Sequence, residues 1–203
     1  MNNPTSDTAG LPSEARDVLD FWFGDPTSST HGSNRVEWFR KDPAFDASIR
    51  ARFGALIERG LRGELEAWAA TPLGALAQVI VLDQFTRNVF RGTPRAFAGD
   101  ARALNAARAM VGSRQDDELP PFQRAFVYLP FEHAEGIDMQ HEAVRLYTRL
   151  VALDPAQAGG LDYAERHRDI IERFGRFPHR NDILGRQSTA EEIEFLKTPG
   201  SGF

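Results

Sequence analysis

Apolar residues recur at helical spacing along almost the whole chain, and no run alternates with the period of two expected of a strand. Val18, Leu19, Phe21 and Trp22 predict a helix that Ser13 can cap and that ends near Gly24. A polar loop over 25–34 follows, then a short apolar anchor of Val36, Trp38 and Phe39. Asp42 and Pro43 suit the N-cap and first position of the next helix, whose inner face carries Phe45, Ile49, Phe53, Leu56, Ile57 and Gly60. A short segment with Leu65 and Trp68 stops before Pro72.

Thr71 and Pro72 open the most apolar helix, predicted over residues 72–90. Leu73, Leu76, Val79, Ile80, Leu82, Phe85 and Val89 cover more than one of its faces, which places it at the centre of the fold. An alanine-rich helix is expected over 99–112, and Pro120-Pro121 starts another with Phe122, Ala125, Phe126, Leu129 and Phe131. Met139, Ala143, Leu146, Leu150 and Leu153 form a stripe that ends before Pro155. Leu161, Ala164, Ile170, Ile171 and Phe174 mark the next helix, with Gly175 just past its end. Ser188 with Glu191, and Thr189 with Glu192, both fit the capping box of a last helix. The expected class is all-α: eight to ten helices in antiparallel pairs forming one domain over 13–203, preceded by a disordered tail over 1–12. No internal repeat is visible.

With 203 residues, the chain is long enough to bury one substantial core. The absence of cysteine excludes disulfides, thiolate metal sites and a cysteine nucleophile. A net charge of −5 argues against general nucleic-acid binding. The N-terminus is polar with no apolar run behind it, unlike a signal peptide, and no window is long and apolar enough to span a bilayer. The expected location is cytoplasmic. There is no Walker A loop, no GxGxxG after a strand, no GxSxG and no HExxH.

Three segments place polar groups where the pattern expects core. In the first, Asp83 and Arg87 are four apart and can pair, with Gln84 and Asn88 on the neighbouring face. Burial of such groups costs several kcal/mol unless they are partnered, so they are either a ligand site or a structural hydrogen-bond network. In the second, Pro130 interrupts a helical pattern and predicts a kink that leaves the Phe126 carbonyl without its bond. Glu132, His133 and Glu135 follow directly. His133 is a candidate acid or base oriented by a carboxylate, or a histidine bonded at a helix end. The third, Arg173 to Arg186, holds four arginines and His179 in an irregular stretch that leads into the last helix. Its arginines either bind an external anion or pair with acidic residues of neighbouring helices. His167 falls on an apolar face and reads as a satisfied core histidine, while His31 and His141 show no partner pattern.

The runs Asp20–Gly24, Trp38-Phe39, Leu82–Asn88, Phe126–Glu135, Phe174–Asn181, Leu184–Arg186 and Ser188-Thr189 resemble the DUF924 family of bacterial proteins of unknown function. The resemblance covers about residues 15–203. Thr86 stands where the family often has proline, and Ala134 where it often has serine. The resemblance implies a TPR-like helical fold and no assigned reaction. Its motif positions coincide with the three polar segments.

The sequence therefore predicts that Asp83, Arg87, His133, His179 and Arg180 line one pocket, within about 10–12 Å of a common centre. The leading expectation is a small anionic molecule or acidic peptide bound by Arg87, Arg176, Arg180 and Arg186, with Asn88 and Asn181 orienting it and no cofactor. The alternative is a metal-free hydrolase or lyase using His133 or His179 as acid/base, with Glu135 or Asp83 as orienter. A metal site made of His133, Glu135, His179 and Asp83 is the third option.

Overall fold

Every residue from Leu73 to Thr86 is buried, so the chain is organised around this one segment. The computed structural model describes residues 10–28, 31–33, 35–38 and 40–202. Phe39, part of the expected apolar anchor, lies outside the described residues, as do residues 1–9 of the expected tail. Gly10 to Pro12 are described, and Leu11 is buried in the core.

Among the described residues the fold has eight helices and no strand. Helix α1 is Ser13–Phe23 and α2 is Pro43–Leu61. Helix α3 comprises Pro72–Val79, a π-helical stretch Ile80–Phe85 and a final turn Thr86–Val89. Then come α4 (Asp100–Ser113), α5 (Pro121–Glu132), α6 (Ile137–Leu153), α7 (Ala158–Phe174) and α8 (Ala190–Leu196). Helices α1, α2, α4 and α5 pack around α3, while α5 packs on α6 and α6 on α7. Trp22, Phe53 and Phe85 bury their rings in the centre, and a smaller cluster of Ile170, Ile171 and Phe177 lies under the C-terminal loop. No helix of the described residues is long and apolar enough to cross a membrane.

Local chemistry accounts for most helix ends. The Asp42 carboxylate accepts from the Ala44 and Phe45 N–H groups, and the Thr71 hydroxyl accepts from Gly74 N–H. Gly175, at φ 69°, lets the chain leave α7. Two expectations need correction. Ser13 makes no capping bond, because Pro12 takes the N-cap position and Ser13 is already helical. Of the two possible capping boxes only Thr189 with Glu192 forms, because the Ser188 hydroxyl accepts instead from the Asn181 amide. Helix α5 runs through Pro130 and ends at Glu132. Past its end, the buried Gln140 amide donates to the carbonyls of Phe131, Glu132 and Ala134. That amide closes the C-terminus of α5 from α6.

The π-helical stretch is a departure that helical periodicity does not signal. It widens α3 just where Asp83 leaves the helix. Thr86 donates its hydroxyl to the Leu82 carbonyl at 2.6 Å. Gly99 approaches the same carbonyl so closely that a Cβ there would lie 2.0 Å from the Leu82 oxygen. The glycine thus lets the start of α4, and with it Asp100, settle against the widened turn.

Gly99→Ala is expected to destabilise the fold by about 1–3 kcal/mol, because backbone must move to make room. Gly112→Ala, inside α4 with open space around it, is expected to be neutral or to stabilise by about 0.4–1 kcal/mol. Urea denaturation of both variants checks the contrast; equal effects would refute the close-approach account.

Candidate functional site

The π-helical turn delivers Asp83 to a buried position between three helix ends. Its Oδ2 accepts from the Gln84 amide at 2.7 Å. Its Oδ1 accepts from His133 Nδ1 at 2.8 Å and from Arg87 Nη2 at 3.3 Å. His133 sits immediately after α5, where the helix has ended and its ring can turn towards α3. Arg87 Nη2 also donates to Asp100 Oδ1 at 2.9 Å. Arg180 comes from a short 3₁₀ turn, Pro178–Arg180, and donates from Nη1 to the His133 carbonyl at 3.0 Å. Its guanidinium lies against the rings of Phe97 and Phe177, 4.9 and 4.4 Å from their centroids. Phe97 also lies 5.4 Å from the Arg87 guanidinium.

Asp83, Arg87, His133 and Arg180 are therefore brought into one network, and His179 adjoins it through the Phe177 ring, 5.6 Å away. These residues form a network joined by hydrogen bonds and ring contacts. It meets solvent at Arg87, His133 and Asp100, whose side chains are 18, 16 and 26 % exposed. Two surface depressions are present: one is lined by Asp182, Ser188, Ile193 and the expected ligand-binding residue Arg186, the other by Val36, Arg40 and Asp42.

The remaining expected ligand-binding residues face internal partners. Arg176 forks onto Glu192 at 2.7 and 2.8 Å, and Arg186 forks onto Glu135 at 2.6 and 2.9 Å. Asn88 donates to Asp46, while Asn181 joins Ser188 to Arg186. Glu135 also accepts from the Phe177 N–H, so it fastens the C-terminal loop and does not orient His133; Asp83 does that. Arg176 and Arg186 thus pair with acidic residues of neighbouring segments, as one of the two readings of that loop expects. The four-residue metal option is not assembled, since among the described residues no three His, Asp or Glu groups stand together as ligands would. His141, read as lacking a partner, lies 3.2 Å from Glu172 on the surface.

Three members of the network were not among the expected site residues. Asp100 reads simply as a first-turn acid of α4. Glu132 is buried at the end of α5, its Oε1 3.1 Å from His167 Nδ1 and its Oε2 without a hydrogen-bond partner. His167 is a buried histidine with a backbone bond to Tyr163, as expected, yet its ring stands 6.3 Å from that of His133. The available signal was Glu132 itself, an acid at the end of the apolar run Phe126–Phe131.

The charges sort themselves by environment. Burial would raise the Asp83 pKa, but His133 and Arg87 hold the carboxyl well below the usual range. Burial, reinforced by Asp83, pushes Glu132 up to about 8, so it is protonated at neutral pH. Burial, and then Arg87, lowers His133 against the pull of Asp83. Burial lowers His179 to about 4 and His167 to about 3, the first helped by Arg180 and the second by His133. Burial raises Asp100, against the attraction of Arg87. An ionised Asp83 can only accept, so the neutral His133 carries its proton on Nδ1 and a lone pair on Nε2.

Comparison with known proteins gives three findings. The DUF924 family, bacterial proteins of unknown function, matches residues 18–200. ATU0120 from Agrobacterium tumefaciens, a protein of unknown function, has a similar structure, with a TM-score of 0.81 and 40% sequence identity. That match covers 94% of this chain and 99% of the other. No curated protein matches.

The Glu132 carboxyl generates a pH prediction. It holds a proton in the fold that the unfolded chain releases above its ordinary pKa of 4.5, so its contribution weakens as pH rises from about 4.5 to about 8. His167 and His179 bind fewer protons when folded and favour the fold increasingly up to about 6.5. Between pH 6.5 and 8.5 the thermal midpoint is therefore expected to fall in the wild type and to stay flat in Glu132→Gln. Parallel melting curves across that range would exclude a buried protonated Glu132.

Proposed function

The chain belongs to the DUF924 family, and we propose that it binds a small anionic ligand at Arg87 and Arg180, beside His133 and His179. The observation that carries this reading is the state of Arg180. The residue is 6 % exposed, and its Nε has no hydrogen-bond partner. Its nearest carboxylate, Asp100, stands 3.8 Å away, beyond hydrogen-bond range. Burial, and then the charge of Arg87, lowers its pKa to about 10, so it is still a cation at neutral pH. A buried cation this weakly compensated is costly, and an anion would supply both the charge and the missing hydrogen bond. Arg176 and Arg186, each forked onto its own glutamate, have no such deficit.

The small solvent-facing part of the network favours a small molecule over an acidic peptide, and the acidic net charge of the chain speaks against nucleic acid. The same reading places the protein in the cytoplasm, where small organic anions are abundant. It also sets the helices in a TPR-like array of antiparallel pairs, supported by the packing of α5 on α6 and α6 on α7.

Isothermal titration with inorganic phosphate, small carboxylates and an acidic peptide tests the ligand class. At least one small anion is expected to bind, with an affinity about tenfold or more lower in Arg180→Lys, as loss of a charge-assisted bond predicts. Equal binding to both proteins, binding of the peptide alone, or none at millimolar concentration would overturn the reading.

A second reading rests on the Asp83–His133 contact. A neutral imidazole held through Nδ1 by a carboxylate presents Nε2 as a general base, the arrangement a metal-free hydrolase or lyase would use on the bound anion. His133→Gln should then keep ligand affinity while turnover falls by about a hundredfold or more. A ligand that binds and is never turned over leaves binding as the function.

A further inference from the structure

We infer that the Asp100 side chain occupies a carboxylate subsite between Arg87 and Arg180, so that the ligand is a small carboxylic acid whose carboxylate takes its place. The inference rests on the anion-binding reading above and narrows it to one ligand class.

Asp83, Glu132 and Asp100 are the carboxyl groups of the network. Asp83 and Glu132 are almost wholly buried, and Asp100 alone of the three has substantial contact with solvent. An arriving ligand therefore meets Asp100 first. Asp83 is held by three donors, from Gln84, Arg87 and His133. The Asp100 side chain accepts a single hydrogen bond, from Arg87, and its displacement breaks only that one.

The fit of Asp100 is also incomplete. Its Oδ1 reaches Arg87 Nη2 at 2.9 Å, but its Oδ2 stops 3.8 Å short of Arg180 Nη1. The side chain is tethered at the first residue of α4, whose backbone is pinned by the close approach of Gly99 to Leu82. A free carboxylate carries no such tether and can come within hydrogen-bond distance of both guanidiniums. The geometry suits a flat group. Phe97 lies 5.4 and 4.9 Å from the Arg87 and Arg180 guanidiniums, and a planar carboxylate can accept from two such forks at once. Burial holds both His133, whose carbonyl accepts from Arg180, and His179, beside Phe177, below the usual histidine pKa, so neither adds a competing charge.

The test is isothermal titration of acetate, succinate and inorganic phosphate into the full chain, as wild type, Asp100→Ala and Asp100→Asn. Asp100→Ala vacates the subsite; Asp100→Asn keeps the shape of the side chain and removes its charge. Succinate is expected to bind Asp100→Ala about tenfold or more tighter than wild type, with a smaller gain in Asp100→Asn and little gain for phosphate. Succinate binding that is unchanged or weaker in the variants would overturn the inference while the wild-type binding kept the anion reading in place. A gain for phosphate as large as that for succinate would overturn the carboxylate assignment. Acetate bound by Asp100→Ala alone, with succinate bound by none, would be mere filling of the vacated volume and would overturn it too. No binding to any of the three proteins would remove both readings together. Should Asp100→Ala fail to fold, Asp100→Asn decides, and no gain there overturns the inference.

Discussion

The ionised Asp83 carboxylate is the constraint around which the polar half of this protein is arranged. A charge buried in the central helix is tolerable only with partners on every side, and it draws those partners from distant parts of the chain. His133 brings the end of α5 to α3, and Arg87 carries the negative charge outwards to Asp100 at the start of α4. Arg180 then fastens the C-terminal loop to the His133 carbonyl. Removing one partner of such a buried pair costs about 3–5 kcal/mol, more than any single surface ion pair here can contribute.

The arginines divide into two groups. Arg176 and Arg186 lie in the outer loop, each with a carboxylate fork of its own, and hold that loop against α8 and the segment after α5. Arg87 and Arg180 lie inside: Arg87 sits between Asp83 and Asp100 at 3.3 and 2.9 Å, while Arg180 has only Asp100, 3.8 Å away. The outer pairs are complete and structural. Arg180 is the weakly compensated one, and this difference, more than the number of arginines, is what the anion-binding proposal rests on.

Backbone geometry makes the inner arrangement possible. A regular α-helix through residues 80–85 would point Asp83 in another direction, and the π-helical stretch re-aims it. The widened turn in turn accepts Gly99, and only a residue without Cβ permits that approach. The Thr86 hydroxyl bonds to the Leu82 carbonyl at this place. Asp83, ionised, and Glu132, protonated, differ because of their partners: Asp83 has the Arg87 cation and donors from Gln84 and His133, while Glu132 has burial and a neutral imidazole.

The sequence by itself determined the helical class, the central place of the segment from Leu73 onwards, most helix ends, and the candidates Asp83, Arg87, His133 and Arg180. These features are local: helical periodicity joins residues three or four apart, and caps act within one turn. Tertiary structure decided the rest. It decided that Arg186 takes Glu135 and leaves His133 to Asp83, and that Asp100, Glu132 and His167 enter the network. The physical reason is separation along the chain. Asp83 and His133 lie 50 positions apart, and Glu135 and Arg186 lie 51 apart. Which acid meets which base across such distances depends on how the helices pack, on one π-helical turn, and on one glycine that lets two backbones touch.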